Sequence, residues 1–249
     1  RLFFLSADLN PSGASMQTCD TLLHTGVLLT QDDDRRVLEN AALAIDGGRI
    51  VALGYSQDVT AAWQAREILD LSGMLVMPGL VNAHTHAAMT FLRGLADDMP
   101  LMDWLQQKIF PVEQGLTPDL VRLGSLLGFA EMLRTGTTSC VDMYIFESSV
   151  MEAADQAGLR CLAGEGVFAF PSACCPDADA ALACTREMAQ RWAGHDRLHV
   201  AVMPHSVYTT TAAQLTACPW GRSCPPRHCG PRHHGRCPRW RCPARGPHG

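Results

Sequence analysis

Two histidines separated by one residue are the first side chains in this sequence whose type and spacing could support chemistry. His84 and His86 lie in "PGLVNAHTHAAMTFLRG", residues 78–94, after an apolar run. Side chains at positions i and i+2 of a strand point to the same face, so two imidazoles in this arrangement can bind one metal ion. The same pair could be polar residues in a turn. The apolar run and the Pro78-Gly79 break before it favour a metal site at the end of a strand.

Strand and helix patterns alternate around this pair. Two β-type runs come first, "DTLLHTGVLLT" and "NAALAIDGGRIVALG", the second with a Gly47-Gly48 turn. After the histidines, "TPDLVRLGSLLGFAEMLRTG" predicts a helix that is capped by Thr117, has Pro118 at its first position and closes at Gly136. Three predicted strands then alternate with two predicted helices: "TTSCVDMYIF", "SSVMEAADQAG", "LRCLAGEGVFAF", "PDADAALACTREMAQRWAG" and "RLHVAVMPHSVYT".

This alternation is typical of a parallel sheet covered by helices. A complete (β/α)8 barrel needs about 250 residues. The four βα steps that follow residue 70 therefore predict about half of such a barrel, with the histidine pair at the end of its first strand. Active sites of these barrels form at the carboxyl ends of the strands, which agrees with a metal site there.

Charge is distributed unevenly along the 249 residues. Of the 20 basic residues, seven lie in residues 218–249, which contain no Asp, Glu or Lys. Residues 1–217 thus carry 13 basic and 25 acidic residues, and an acidic body argues against nucleic acid as its partner. No apolar run of about 18 residues and no secretory segment is evident, so we expect a cytoplasmic protein without a membrane span. Six of the eleven cysteines lie in the body at irregular spacing, which favours reduced thiols.

The segment from Cys218 to Gly249 differs in composition from everything before it. It contains seven Arg, seven Pro and five Cys, but no Leu, Ile or Val, so it cannot offset the entropy of ordering and is predicted to be disordered. Such a composition is typical of GC-rich DNA read out of frame, which predicts a frameshift near Ala217. The alternative is a basic metal-binding module for nucleic acid, although its spacing departs from C-x2-C patterns. Its candidate ligands are Cys218, Cys224, Cys229, His233 and Cys237.

Three longer strings resemble a known family. "MPGLVNAHTHAAMTFLRGLADDMPLMDWLQQKIFPVE", "GTTSCVDMY" and "MPHSVYT" are similar to the amidohydrolase superfamily, and within it to the methylthioadenosine/S-adenosylhomocysteine deaminase group and its chlorohydrolase-like relatives. The resemblance extends from about Asp20 to Gln214. It implies a metal-dependent barrel flanked by a small β-sandwich, to which the N-terminal β-runs contribute.

The resemblance also implies roles for individual residues. His84 and His86 would be ligands of one divalent metal ion, zinc; Glu113 would hold ribose hydroxyls, and His205 would contact the base. From the residues alone, Glu113 is more simply explained as a solvated carboxylate near a helix start, and His205 could equally be a third metal ligand. Trp104 is a candidate for the wall of the substrate pocket, with a core aromatic as the alternative.

The activity implied by the resemblance is hydrolytic deamination of an adenosine-type nucleoside, a small-molecule substrate. The family's H-x-x-E, a later His and an Asp have no counterpart in this sequence, so no catalytic proton-transfer residue is assigned and we expect the chain alone to be inactive. Glu165 and the segment near Asp177 stand where some members have arginines for the homocysteine carboxylate. The alternative function is hydrolysis of another C–N or a C–Cl bond.

The fold class predicted from these observations is α/β, with a partial (β/α)8 TIM-type barrel of about four βα units preceded by a small β-sandwich segment and followed by a disordered basic tail. We expect four regions: an upstream or disordered segment at 1–15, the N-terminal part of the β-sandwich domain at 16–70, the first half of the metal-dependent hydrolase barrel at 71–217, and the out-of-frame-like tail at 218–249.

Overall fold

A computed structural model describes residues 16–218 of the chain. The predictions for residues 1–15 and for the tail beyond Cys218, including the frameshift and the Cys/His module, lie outside these residues. The described residues form two compact units. The N-terminal unit comprises residues 16–82 and Met132–Ser139, and the barrel unit comprises Ala83–Glu131 and residues 140–218.

The N-terminal unit contains a four-stranded sheet. Its strands are β1 (Gln17–Leu29), β2 (Val37–Asp46), β3 (Arg49–Tyr55) and β4 (Trp63–Val76), and a short helix α1 (Ser56–Ala62) joins β3 to β4. The strand order is β3-β2-β1-β4, with β1 antiparallel to β2 and parallel to β4. β4 continues past residue 70, where the sequence predicts the domain boundary. The β-sandwich stays a prediction, because the described residues form one sheet here.

The turn between β2 and β3 is formed by Gly47 and Gly48, the glycine pair at which the sequence predicts a turn. Gly47 and Gly48 have φ of +53° and +72°, a left-handed conformation that glycine adopts without steric cost. The predicted hairpin is therefore confirmed. One face of the sheet is buried in a small apolar cluster formed by Cys19, Leu22, Ala42, Ala44, Ala52, Val59 and Trp63.

The second sheet carries the barrel strands. These are β5 (Leu80–Thr85), β6 (Thr137–Tyr144), β7 (Arg160–Val167), β8 (Leu198–Val200) and β9 (Met203–Pro204). The order is β5-β6-β7-β8, and β9 also pairs with β7. β7 is parallel to both β8 and β9, as predicted for strands joined through helices. The sheet accordingly has the arrangement expected of the first part of a barrel.

Helical segments follow the strands in the chain. A 3-10 helix at Ala87–Leu92 follows β5, and then α2 (Leu101–Trp104), a π-helical turn (Leu105–Ile109) and α3 (Phe110–Glu113) form one continuous segment. The remaining helices are α4 (Pro118–Arg134), α5 (Glu147–Ala157), α6 (Ala178–Arg191) and α7 (Ala212–Ala217). None of the helices within residues 16–218 has the length and apolar character needed to cross a membrane.

Two local predictions can be compared directly with these elements. The helix cap is confirmed, since Thr117 Oγ1 accepts a hydrogen bond from the Leu120 amide at 3.3 Å. The last predicted strand, in contrast, is divided into β8 and β9. The register is the same on both sides of the break, Ala163 opposite Val200 and Gly166 opposite Met203. At the break the backbones approach closely, because a Cβ on Gly164 would lie 1.9 Å from the Ala201 carbonyl oxygen.

Helix α4 lies directly against the 3-10 helix that follows His86. A Cβ on Gly128 would lie 2.8 Å from Thr90 Oγ1 and 2.9 Å from the Ala87 carbonyl oxygen, and one on Gly124 would lie 2.5 Å from the Ala88 carbonyl oxygen. Real Cβ atoms do not make such short contacts. The two glycines therefore permit a close helix approach that fixes the backbone next to the histidine pair.

We expect Gly128→Ala to lower the free energy of unfolding by about 1–3 kcal/mol, because the added methyl group overpacks this contact. At a helical position with room for the methyl group, the same change would raise the free energy of unfolding by about 1 kcal/mol, because alanine has the higher helix propensity. Urea unfolding followed by circular dichroism measures the difference. Gly73→Ala in β4 is the control, since no atom lies within 4 Å of its Cβ position. An alanine variant at position 128 as stable as the unmodified chain would contradict the argument.

Candidate metal centre and substrate cavity

The histidine pair lies where β5 ends. His84 is on the strand and His86 immediately follows it, before the 3-10 helix. Their ring centroids are 5.2 Å apart with the planes at 71°. The sequence-based expectation that the two imidazoles project together therefore agrees with their placement, while their role as metal ligands stays a prediction.

The hydrogen bond of His86 determines which ring nitrogen is available. His86 Nδ1 is bonded to the Met143 carbonyl oxygen on β6. A carbonyl can only accept, so Nδ1 carries the proton and Nε2 keeps its lone pair. Burial lowers the pKa of His86, which favours the neutral ring, and neutral imidazole is the form that binds metal. These residues fit a divalent ion with nitrogen ligands, such as zinc.

Two buried carboxyl groups hold the backbone after His86. Asp142 Oδ2 accepts the Ala87 N–H at 2.7 Å, and the side chains of Asp142 and Glu147 are both fully buried. Burial and the neighbouring Asp142 charge raise the pKa of Glu147 well above its ordinary value, and burial raises that of Asp142 to about 6. Glu147 thus keeps its proton, and Asp142 is the carboxyl group that accepts the amide next to His86.

The predicted site residues of the barrel unit are brought together around one cavity. This cavity has a volume of about 200 Å³. The sequence-predicted residues His84, His86, Trp104, Glu113 and His205 all line it. Side chains from the ends of β5 and β6, from the segment after β7 and from the helical segment 101–113 therefore converge on a single volume.

Glu113 closes the helical segment and is largely withdrawn from water. Burial raises the pKa of its carboxyl group, and the nearby phenol of Tyr144 opposes that shift. In turn, burial and the Glu113 charge raise the pKa of Tyr144, so the phenol keeps its proton. A carboxylate in a partly dry cavity is a strong acceptor for hydroxyl groups of a ligand, which a solvated surface Glu would not be.

His205 lies across the cavity, just after β9. Its Nδ1 is 2.6 Å from Thr209 Oγ1, and its ring centroid is 6.5 Å from that of His86 and 4.8 Å from that of Phe168. Burial lowers the pKa of His205, and the two other histidines lower it further. The ring is thus neutral and can either accept or donate a hydrogen bond to a ligand in the cavity.

Tyr144, Phe168 and Tyr208 are among the cavity residues that do not figure in the sequence-based predictions. Tyr144 is the last residue of β6, Phe168 is the first residue after β7, and Tyr208 lies in the loop after β9. The rule that barrel sites form at the carboxyl ends of strands could have pointed to the first two. No pattern in the sequence marks Tyr208.

Comparison with known proteins agrees with this geometry. The model of the amidohydrolase family matches residues 75–219. The chain belongs to the amidohydrolase family. Among its relatives, it is 64% identical over 203 residues to a 5-methylthioadenosine/S-adenosylhomocysteine deaminase of Desulfovibrio desulfuricans, an alignment that covers 82% of this chain and 46% of that protein. A deaminase of the same name from Lawsonia intracellularis is 56% identical over 81% of this chain and 46% of its own length.

Solved amidohydrolase structures show the same partial coverage. An adenosine deaminase from Xanthomonas campestris with bound zinc has a TM-score of 0.79 and 36% identity, and the match covers 82% of this chain and 47% of that one. The zinc complex of atrazine chlorohydrolase from Arthrobacter aurescens shares the fold, with a TM-score of 0.71 and 21% identity over 80% of this chain and 49% of that one. The chain spans about half the length of the curated relatives it matches.

We expect Glu113→Gln to stabilise the protein at neutral pH and to have little effect near pH 4. Because the folded pKa of Glu113 lies above its ordinary value of 4.5, the unfolded chain releases this proton first. Glu113 therefore lowers the free energy of unfolding above pH 4.5, and this destabilisation grows until the pH passes the folded pKa. Thermal unfolding midpoints between pH 4 and pH 8 measure this difference.

Glu131→Gln provides the control of opposite sign. Hydrogen bonds from Arg93 lower the pKa of Glu131, so this side chain stabilises the folded state above pH 4.5 and the benefit disappears as the pH falls through the folded value. Its replacement should lower the midpoint at neutral pH. Parallel pH profiles for the two variants would show that the Glu113 carboxyl group is not desolvated in the cavity.

Proposed function

We propose that this chain provides the metal-binding and nucleoside-binding half of a hydrolytic deaminase. Its substrates would be adenosine-type nucleosides of the methylthioadenosine and S-adenosylhomocysteine class, and its cofactor one zinc ion. The observation that carries the proposal is the convergence of His84, His86, Glu113 and His205 on one cavity, with Nε2 of His86 free of the Met143 bond. The names of the two deaminase relatives support the same chemistry.

Each residue has a definite task in this proposal. His84 and His86 hold the metal through neutral imidazoles, and the proton on Nδ1 of His86 keeps that ring oriented. When bound, the ion supplies Lewis-acid activation of water at neutral pH. Glu113 accepts hydrogen bonds from the ribose hydroxyls, and His205 contacts the purine through its neutral ring.

The apolar side chains of the cavity limit access of water. Trp104, Phe168 and Phe110 line it together with the polar groups. The ring centroids of Phe168 and His205 are 4.8 Å apart. An aromatic side chain therefore lies next to the residue that is proposed to contact the base. Within residues 16–218, no side chain is assigned to move the proton to the departing ammonia, and catalytic zinc sites commonly use three protein ligands. The activity is therefore proposed for the whole protein.

A chimera tests the proposal. Residues 16–217 of this chain are joined to the remaining C-terminal part of the Desulfovibrio desulfuricans relative, and ammonia release from 5-methylthioadenosine is measured with and without zinc. We expect zinc-dependent turnover that falls at least about 100-fold in His86→Ala, together with loss of bound zinc. His199→Ala, an exposed position on β8, is the matched control. Full turnover by the His86 variant would remove this residue from the site, and chloride release from a chlorotriazine without deamination would favour the C–Cl alternative.

Glu113→Ala in the same chimera tests the ribose contact. Loss of a charge-assisted hydrogen bond should raise KM about tenfold or more, with a smaller effect on kcat, because substrate and transition state share this contact. Glu131→Ala is the control, since that side chain pairs with Arg93 on the surface. An unchanged KM in the Glu113 variant would contradict the assignment.

A further inference from the structure

A second group of potential metal ligands lies in the barrel unit, away from the histidine pair. Glu165 is on β7, Cys174 and Cys175 are in the loop that follows β7, and Cys184 is on α6. The ligand atoms of Glu165, Cys174 and Cys175 all lie within 4.8 Å of one another. Cys184 Sγ is 3.8 Å from Cys175 Sγ. None of the four residues lines the cavity of about 200 Å³.

We propose that Glu165, Cys174, Cys175 and Cys184 form a second metal site, which binds zinc or a closely similar thiophilic divalent ion. Three thiolates and one carboxylate are a ligand set that such ions accept in tetrahedral geometry. A site with four protein ligands leaves no open position, so its role is structural.

One sulfur–sulfur distance already fits this geometry, whereas Cys184 has to move toward the other ligands, because only the ligand atoms of Glu165, Cys174 and Cys175 all lie within 4.8 Å of one another. With zinc–sulfur bonds of about 2.3 Å, two thiolates on one tetrahedral ion lie about 3.8 Å apart. The Cys175 and Cys184 sulfurs already have this separation. Cys174 Sγ lies 3.0 Å from Glu165 Oε1, which is a thiol-to-carboxylate hydrogen bond. Replacing its proton with a metal ion would move the two atoms apart by less than about 1 Å.

The loop is folded so that neighbouring cysteines can act together. The Ser172 amide donates to the Cys175 carbonyl at 2.9 Å, and the Cys175 amide donates to Ser172 Oγ at 3.0 Å. This tight turn brings Cys174 and Cys175 to the same carboxylate. Glu165 is oriented from the other side, because its oxygens accept the amides of Phe146 at 3.1 Å and Glu147 at 3.0 Å. Such outer contacts are typical of groups that orient a metal ligand.

Glu165 is the residue that simple packing does not explain. Cys175 belongs to an apolar cluster with Val167 and Ala181, and Cys184 packs against it, as expected of cysteines that serve as small apolar side chains. Glu165 is only 2% exposed among these residues, and within the described part of the chain no basic side chain forms an ion pair with it. A buried carboxylate without a cation is costly, and a metal ion would supply the missing positive charge.

Metal binding at this site releases protons. Burial, and next the Glu165 charge, raise the pKa of Cys174 to about 11, and burial raises that of Cys175 as well, so both thiols are protonated without metal. Each thiol gives its proton to solvent as its sulfur binds the ion.

The test uses the full chain loaded with 113Cd, whose NMR shift reports the number of thiolate ligands. We expect a resonance from a thiolate-rich site that disappears in Cys175→Ser and shifts in Glu165→Gln. It should persist in the double variant His84→Ala/His86→Ala and in Cys19→Ser, a control for loss of a buried thiol in the N-terminal unit. Resonances from the cysteines beyond Cys218 would be the same in all variants. If every thiolate-rich resonance persists in Cys175→Ser, the proposal is wrong.

A second measurement needs no substitution and so does not depend on the folding of a variant. Alkylation of Cys174, which is partly exposed, is followed by peptide mass spectrometry in the unmodified protein with and without zinc. We expect zinc to slow alkylation of Cys174 at least about tenfold, and a chelator to reverse the effect, because a metal-bound thiolate is a poorer nucleophile. Equal rates with and without zinc would overturn the proposal.

Discussion

The geometry of the candidate site depends on two hydrogen bonds that connect the end of β5 to β6. Nδ1 of His86 donates to the Met143 carbonyl, and the Ala87 amide donates to Asp142. One bond sets the tautomer and orientation of a ring, and the other sets the path of the backbone that carries it. Both acceptors lie on the same strand, so a shift of that strand would displace the ring and the backbone together.

Three buried carboxyl groups lie next to these bonds, and they differ in their own hydrogen bonds. Asp142 accepts the backbone amide of Ala87, Glu165 accepts the amides of Phe146 and Glu147, and Glu147 itself keeps a proton because of burial. The loops after β5 and β6 thus obtain partners for amides that no neighbouring strand can bind. Replacing any one of these carboxyl groups with an apolar residue would leave a buried N–H or a buried charge without a partner.

Local sequence patterns predict the parts of this structure that local forces determine. The glycine pair of the β2–β3 turn and the Thr117 cap follow from backbone preferences, and the H-x-H follows from strand periodicity. Resemblance to a family supplied Glu113 and His205, which no periodicity marks. The π-helical turn at Leu105–Ile109 escaped prediction, because no residue pattern marks it. The burial of both Asp142 and Glu147 also escaped prediction, because it depends on the elements that pack over them. Likewise, nothing in the spacing of Cys174 and Cys184 shows that α6 brings its thiol back to the loop.

The two groups of candidate metal ligands differ in a way that follows from their surroundings. The histidine pair lies at the edge of a cavity, with His84 exposed, so part of any ion held there would face solvent or a ligand. In the second group, the ligand atoms of Glu165, Cys174 and Cys175 lie within 4.8 Å of one another, and with Cys184 as the proposed fourth ligand an ion there would have no open position. Open coordination is what chemistry on a bound molecule requires, whereas closed coordination contributes only to folding. Nitrogen ligands beside a cavity, and sulfur ligands of which Cys175 is buried while Cys174 and Cys184 are half-buried, therefore favour two separate roles for metal within this unit.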